Sequence, residues 1–343
     1  MSKGDREMVI IVVAASGDAV SVGTELDRRA SIAGRIVAEH GCDLLTGGGG
    51  GAMEIVAKSF CGTPLRVGRS IGIIPGSAQG FAGAKLGNVS PYALTPKSGY
   101  PNRWIELPIF THLPGTGPKS ADSRNIMNMA SADVVIVLKG GEGTQAELEI
   151  ALGLGKRVIA FVGPEERIGN YQAGSLPKDV IVVPDELSLQ DALRDMLSPF
   201  ALARPAFSAI RGVYKTDPTQ IHNCTMHFPN TCAIRMSEAL DKTVTGIKEK
   251  FANSGVNLCP HNFVRGAGDL AGILRKAEVF GVQDIGVSAP GTAPASVQGK
   301  KGLVAYLNIP DFPGQGHIDL WDGSNPVGAD YWNADPIWFW KLP

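Results

Sequence analysis

No segment of this 343-residue chain approaches the roughly 20 consecutive apolar residues that a membrane-spanning helix needs. The apolar stretch MVIIVVAAS near the start follows SKGDRE, which mixes both charge signs where a secretory signal has a basic region. A buried first strand is expected there, with synthesis in the cytoplasm and any export by a route without a cleaved leader. Five cysteines at irregular spacing, none of them after Cys259, give no small-protein disulfide framework. Neither charge sign is in excess: Lys plus Arg number 32 against 33 Asp plus Glu, and neither half carries a basic stripe. Nucleic acid is therefore not an expected partner. Internal repeats and low-complexity tracts are also lacking. What remains is a globular composition, 44% apolar and 19% charged, in a chain longer than one core usually organises.

Two domains are expected, 1–200 and 201–343. The first alternates apolar strand-like runs with helical patterns: MVIIVVAAS, TELDRRASIAGRIVAEHG, CDLLTGGGGGAMEIVAKSF, then SIGIIPG, DVVIVL, KRVIAFVG and DVIVVP. Strand, helix, strand in regular succession means an α/β doubly wound parallel sheet of Rossmann-like type. After SPFALARPAF the pattern changes to a long helix near 231–252, a second near 266–280, and the strands GLVAYLNI, GHIDLWDG and PIWFWKL. Antiparallel pairing with a turn at Asp322-Gly323 makes this half α+β. Stretches 75–101 and 286–299 read as long loops.

Two glycine loops in the first domain follow apolar strands and open helices. TGGGGGAMEIV, with Gly48, Gly49 and Gly50, is one; KGGEGTQAELEIAL is the other. Glycines let backbone approach a phosphate, and a helix start supplies amide donors, so the two loops at strand carboxyl ends predict a shared anion cradle. GGGGGAMEIV together with SRNIMNMASADVVIVLKGGEGTQAELEIAL resembles the LOG family, some of whose members release base from nucleoside 5′-monophosphates. The resemblance spans roughly residues 8–195 and implies a nucleotide ligand. By motif it carries Arg124, Gly140, Gly141, Gly143, Thr144 and Glu147 over as site residues. Lys139 stands where the hydrolases have Pro, and Asn125 follows Arg124 where they have Lys. These departures resemble the branch that binds nucleotides without turning them over, so binding is expected. The resemblance also implies a homodimer through the first domain.

In the second domain, FPNTCAIRMSEAL places Cys232 in the first turn of an amphipathic helix, with Ala233, Met236, Leu240, Val244 and Ile247 at helical spacing and Asn230 or Thr231 as cap. Amides and dipole at a helix start favour thiolate. Position alone leaves Cys232 open between core packing and a nucleophile. GQGHIDLWDG offers a base, since strand alternation puts His317, Asp319 and Trp321 on one face. Gly314 and Gly316 leave room for a close approach. The cluster HNCTMHFPNTC, with Cys224, His227, Cys259 and His261, invites a zinc reading, but its spacing fits no compact motif. No metal is expected; Cys224 reads as buried or as paired with Cys259 after export. Trp332, Trp338, Phe339 and Trp340 read as core rather than as a sugar platform.

VYKTDPTQIHNCTMHFPNTCAIRMSEAL, FVRGAGDLAGILRKAEVFG, KKGLVAYLNIP, GHIDLWDG and the terminal WFWKL, in this order, resemble the fourth family of type VI secretion amidase effectors. The resemblance covers about residues 210–343 and implies a papain-like domain related to NlpC-type amidases. It further implies a Cys, His, Asp triad acting on the peptide stems of bacterial peptidoglycan. Cys232 carries over as nucleophile and His317 as base. For the third member a neighbouring strand, about 4.8 Å away, can present a carboxylate to the far ring nitrogen. That makes Asp330, in GADYWN, the candidate. Asp319 would have to bend toward a side chain parallel to its own, and Asp322 belongs to the turn. Family members often carry cysteines near this hairpin, and here there are none.

The implied activity is hydrolysis of the amide between D-glutamate and meso-diaminopimelate in the periplasm of a target bacterium. No cofactor is expected for this half. Secretion machinery and a cognate immunity protein are the implied partners. The alternative reading is a nucleotide-sensing or nucleoside 5′-monophosphate-hydrolysing protein with an accessory second module.

Overall fold

The computed structural model describes residues 8–79, 93–113, 123–216, 224 and 228–343. The chain divides into two compact units at Leu197/Ser198.

In the first unit, MVIIVVAAS supplies β1 (Ile10–Ala14), the middle strand of a seven-stranded sheet. The other strands are β2 (Asp43–Thr46), β3 (Ser70–Ile74), β6 (Leu107–Phe110), β7 (Val134–Leu138), β8 (Arg157–Phe161) and β11 (Val180–Val183). Their order is β11-β8-β7-β1-β2-β3-β6, and every pairing is parallel. Among the described residues five helices accompany them: α1 (Glu25–Glu39), α2 (Ala52–Gly62), α3 (Arg124–Ser131), α4 (Glu142–Gly153) and α5 (Glu186–Leu197). Strands buried on both faces read as unbroken apolar runs, as β7 does with all five residues buried. Chain order runs outward from β1 on one side and restarts beside it at β7. The crevice beyond the carboxyl ends of β1 and β7 is therefore the switch point where open α/β sheets bind ligands. Within the expected loop 75–101, β4 (Gly76–Gln79) and β5 (Ala93–Pro96) pair antiparallel instead; residues 80–92 lie outside the described ones. A two-residue pair, β9 (Arg167–Ile168) with β10 (Tyr171–Gln172), completes the unit.

The second unit has α6 (Phe207–Val213), α7 (Cys232–Asp241), α8 (Ile247–Ala252) and α9 (Ala267–Arg275) around a four-stranded sheet. Its strands are β12 (Ile285–Val287), β13 (Gly302–Leu307), β14 (Gly316–Trp321) and β15 (Ile337–Lys341), in the order β12-β15-β13-β14, all antiparallel. The unit is α+β, as its pattern implied. The long helix expected over 231–252 is broken, because Gly246 takes a left-handed φ of 82° between α7 and α8. Its apolar stripe survives the break: Ala233, Met236, Leu240, Val244 and Ile247 share one buried cluster. Period-two alternation sorts β15, sending Trp338 and Trp340 into the cluster under α7 and α9 and Phe339 into the cluster on the other face. Trp332 is buried on that second face, so these aromatics are core. β14 lies at the sheet edge, and this leaves it free to meet the start of α7.

Candidate functional site

Cys232 is the first residue of α7, and its side chain is hydrogen-bonded to that of His317 on β14. Both are largely buried, at 6% and 8% exposure. Burial alone would raise the thiol. The hydrogen bond and positive charge of His317, with the amides of Ile318 and Ala233, outweigh it and hold Cys232 below its ordinary value. Ile318 can supply such a donor because β14 is an edge strand; Ala233 does so because the first helical amides have no intrahelical acceptor. For His317, burial works against the charged ring, but bonds to Asp319 and Cys232 push it up to about 9. The two shifts have opposite directions, which is the condition for a thiolate–imidazolium pair near neutral pH.

The carboxylate on the imidazole is that of Asp319, not the expected Asp330. Asp319 Oδ2 lies 3.4 Å from His317 Nε2, leaving Nδ1 as the nitrogen for the sulfur. Side chains two apart on a strand start out parallel; here amides bend the Asp319 carboxylate over. Oδ1 accepts from Leu320 N at 2.7 Å, and Oδ2 accepts from Gly328 N and Ala329 N at 2.8 and 2.6 Å. Gly328 is needed for this wrapping, since a Cβ there would fall 2.6 Å from Oδ2. Asp330 is exposed, and its carboxylate accepts from Trp332 Nε1 at 3.2 Å. Among the described residues no strand pairs with the free edge of β14, and a loop stands where the neighbouring strand was assumed for Asp330. Asp322 accepts turn amides from Ser324 and Asn325, as a turn residue should.

Aromatic rings hold the imidazole. Tyr306 stacks on it at 6.3 Å between centroids, and Tyr331 meets it edge-on at 5.1 Å. Tyr214, buried just beyond α6, hydrogen-bonds to Asp319; burial and then the Asp319 charge push its hydroxyl well up, so it stays a donor. Nothing in the local pattern of Tyr214 signals this contact. A cleft of about 270 Å³ opens at the thiol, bounded by Phe228, Asn230, Arg265 and Gln315 and floored by Gly314 and Gly316. Gly316 admits a strand as well as a ligand: its φ is 119°, and a Cβ would sit 2.1 Å from Tyr306 O on β13.

In the first unit a cavity of about 540 Å³ occupies the switch point. Gly50, Arg124, Gly141, Gly143, Thr144 and Glu147 line it, so the two glycine loops do share one cavity. Gly48, Gly49 and Gly140 do not line it. Gly48 is packed under Ile74, Gly49 beside Tyr100, and Gly140 against the Thr144 side chain. Sequence reasoning missed Gly47, whose lack of a side chain makes room for the Arg124 guanidinium, and missed Asp18, Lys97 and Tyr100 in the lining. Arg124 is 3% exposed, and its Nε and Nη1 have no hydrogen-bond partner among the described residues. Burial pushes the Glu147 carboxyl up to about 7, against the pull of Arg124. An unsatisfied buried guanidinium beside amide-rich loops suits an anionic group.

Residues 8–184 match the model of the SLOG cluster4 family. The chain belongs to that family. Residues 228–340, in the second unit, match the model of type VI secretion system amidase effector protein 4. The chain thus joins a SLOG unit to a second unit that matches the amidase effector model. An uncharacterized protein of Archaeoglobus fulgidus is 30% identical over 131 residues, which are 38% of this chain and 67% of that protein. Among solved structures, the molybdenum cofactor carrier protein of Chlamydomonas reinhardtii is similar at 22% identity and a TM-score of 0.38, over 55% of this chain and 98% of that one. The Tae4–Tai4 effector–immunity complex of Enterobacter cloacae is similar at 24% identity and a TM-score of 0.34, over 41% of this chain and 99% of the matched one. Among the described residues, no helix of either unit is long and apolar enough to cross a membrane.

Of the four residues in the zinc reading, Cys224, Cys259 and His261 come together in the second unit; His227 lies outside the described residues. Cys224 and Cys259 are buried, and no disulfide joins them.

Proposed function

We propose that the second unit cleaves the D-glutamate to meso-diaminopimelate amide of peptidoglycan stems, with Cys232 as nucleophile, His317 as acid and base, and Asp319 as the group that orients the ring. The observation that carries this reading is the opposed shift of a helix-start thiol and the imidazole bonded to it, at the floor of a cleft. The thiolate attacks the amide carbonyl, and helix-start amides take up charge on the oxygen. His317 then gives its Nδ1 proton to the departing amine, leaving the D-glutamyl group as a thioester on Cys232. Water, deprotonated by the same nitrogen, hydrolyses the thioester and releases the Cys232 thiolate beside the reprotonated imidazole. Asp319 accepts Nε2–H and so fixes the orientation of the ring. Arg265 and Asp269 give the cleft one charge of each sign, which suits a stem carrying both carboxylates and an amine.

The toxin reaches its substrate by type VI secretion, and a cognate immunity protein protects the producer. Expression in a Gram-negative host tests this. The chain should be harmless in the cytoplasm and should cause lysis when directed to the periplasm, unless Cys232→Ala is present. Cytoplasmic toxicity dependent on Glu147 would overturn it.

For the SLOG unit we propose binding of a nucleoside 5′-monophosphate, supported by the unpartnered Nε and Nη1 of Arg124 in the cavity. Such a ligand should raise the melting temperature of the chain by linkage, and Arg124→Ala should abolish the shift. No free base should appear. Base release lost in Glu147→Ala would show hydrolysis instead.

A further inference from the structure

Cys224, Cys259 and His261 take no part in the chemistry above, and the three form the one metal-competent cluster found among the described residues. Their ligand atoms lie within 4.8 Å of one another. Cys259 and His261 stand on a tight hairpin that fixes both. Leu258 bridges Val264 antiparallel, Cys259 N donates to Phe263 O at 2.8 Å, and Asn262 N donates to Cys259 O at 2.9 Å. Asn262 closes the turn with a left-handed φ of 64°, a conformation Asn tolerates better than most residues. Cys224 arrives from the segment ahead of α7, and its Sγ contacts His261 Nδ1. Both thiols are 2% exposed and lie in an apolar cluster with Ile234 and Phe263, while His261 is exposed.

A disulfide is the rival occupant of this place, and it would satisfy both sulfurs without any use for the ring. Here a third donor, an imidazole nitrogen, sits against one of them. Two sulfurs and one nitrogen within 4.8 Å of one another form a donor set suited to zinc, which prefers tetrahedral sulfur and nitrogen ligands.

We propose that Cys224, Cys259 and His261 bind a zinc ion through two thiolates and Nδ1, with a water on the solvent side as fourth ligand. Binding expels the two thiol protons and uses the lone pair of a neutral imidazole; no oxidation state changes. The ion would tie the segment ahead of α7 to the hairpin 258–264. Phe228, Asn257 and Arg265, which flank these two elements, wall the cleft at Cys232, and Arg265 lies over the Phe228 ring at 4.1 Å. The metal is thus placed to hold the cleft walls, away from the reacting sulfur.

The test is metal analysis of the full chain purified under reducing conditions without chelator. About one zinc per chain is expected, as for one site of three protein ligands and a water. Cys224→Ser, Cys259→Ser and His261→Ala should each bring it near background, and Cys232→Ala should retain it. A chelator should lower the melting temperature of the wild-type chain and leave that of Cys259→Ser unchanged. Should the variants misfold, cobalt(II) added to the metal-free wild-type chain gives an independent reading: tetrahedral visible bands with a thiolate charge-transfer band. A reduced wild-type chain that takes up neither zinc nor cobalt overturns the proposal. So does zinc retained in the Cys224→Ser/Cys259→Ser double variant, or zinc lost in Cys232→Ala.

Discussion

Asp319→Asn separates the two carboxylates that compete for the imidazole. The Asp319 side chain accepts three backbone amides and faces His317 Nε2. Asparagine offers one acceptor oxygen and one NH2 group. With its oxygen in place of Oδ2, the amides of Gly328 and Ala329 stay bonded and the NH2 group confronts Leu320 N–H. One buried donor is then orphaned, at a cost of about 1–3 kcal/mol. Flipped, two donors are orphaned and NH2 meets Nε2, which would favour the wrong tautomer. The first arrangement should prevail, so the domain folds with reduced stability while the imidazolium loses its countercharge. Acid–base assistance of this kind is worth about 10²- to 10⁴-fold, so turnover on purified muropeptides should fall by at least about a hundredfold. The alkaline limb of the pH profile should also move down from about 9, because the Asp319 bond is the largest influence raising His317. Asp330→Asn keeps an acceptor for Trp332 Nε1 on an exposed side chain and should leave turnover within a few-fold. Near-normal turnover and an unshifted profile in Asp319→Asn, with Asp330→Asn crippled, would refute the reasoning.

The wild-type pH profile follows from the same pair. The thiol is held below its ordinary value, so the rate should already be rising below the usual thiol range of about 8.5. His317 is raised: the proton it gives the leaving amine is present at lower pH and is lost as pH climbs through about 9, where the rate should fall. A rate still rising well above that point would contradict the ion pair. Gly328→Ala, which sets a methyl 2.6 Å from Asp319 Oδ2, should reproduce most of the Asp319→Asn defect without touching any reacting group. Full activity in that variant, measured with the same muropeptides, would show that the loop can yield and that Asp319 is not clamped by it.

Local signals marked Cys232 and His317 only as candidates, a thiol after Asn-Thr at the start of an apolar 3.6 period and a histidine on a strand with period two; the resemblance to the amidase effectors assigned their roles. Asp319 was not, because its orientation is set by the amides of Gly328 and Ala329, and chain distance hides which loop returns to a strand edge. The same limit applies to Tyr214, which reaches Asp319 across 105 residues of sequence by a contact that leaves no periodic trace. In the SLOG unit the doubly wound parallel sheet followed from alternation of apolar runs and helices, and the glycine loops marked the crevice. Which glycines face it was not readable. A glycine is required equally where a ligand approaches, as Gly50 can allow, and where Ile74 or Arg124 packs against backbone, as at Gly48 and Gly47. The break at Gly246 had a visible residue, but the apolar stripe continued through it and outweighed the signal. Cys224, Cys259 and His261 matched no compact metal spacing because a turn and a distant segment bring them together.

Digestion of purified muropeptides by the wild-type chain and by Cys232→Ala, read by mass spectrometry, tests the central claim most directly. The wild-type chain should split the stem between D-glutamate and meso-diaminopimelate, adding one water, and the Cys232→Ala chain should leave every stem intact at unchanged melting temperature. Cleavage by Cys232→Ala, or scission at a glycosidic bond or at another amide of the stem, would contradict the account.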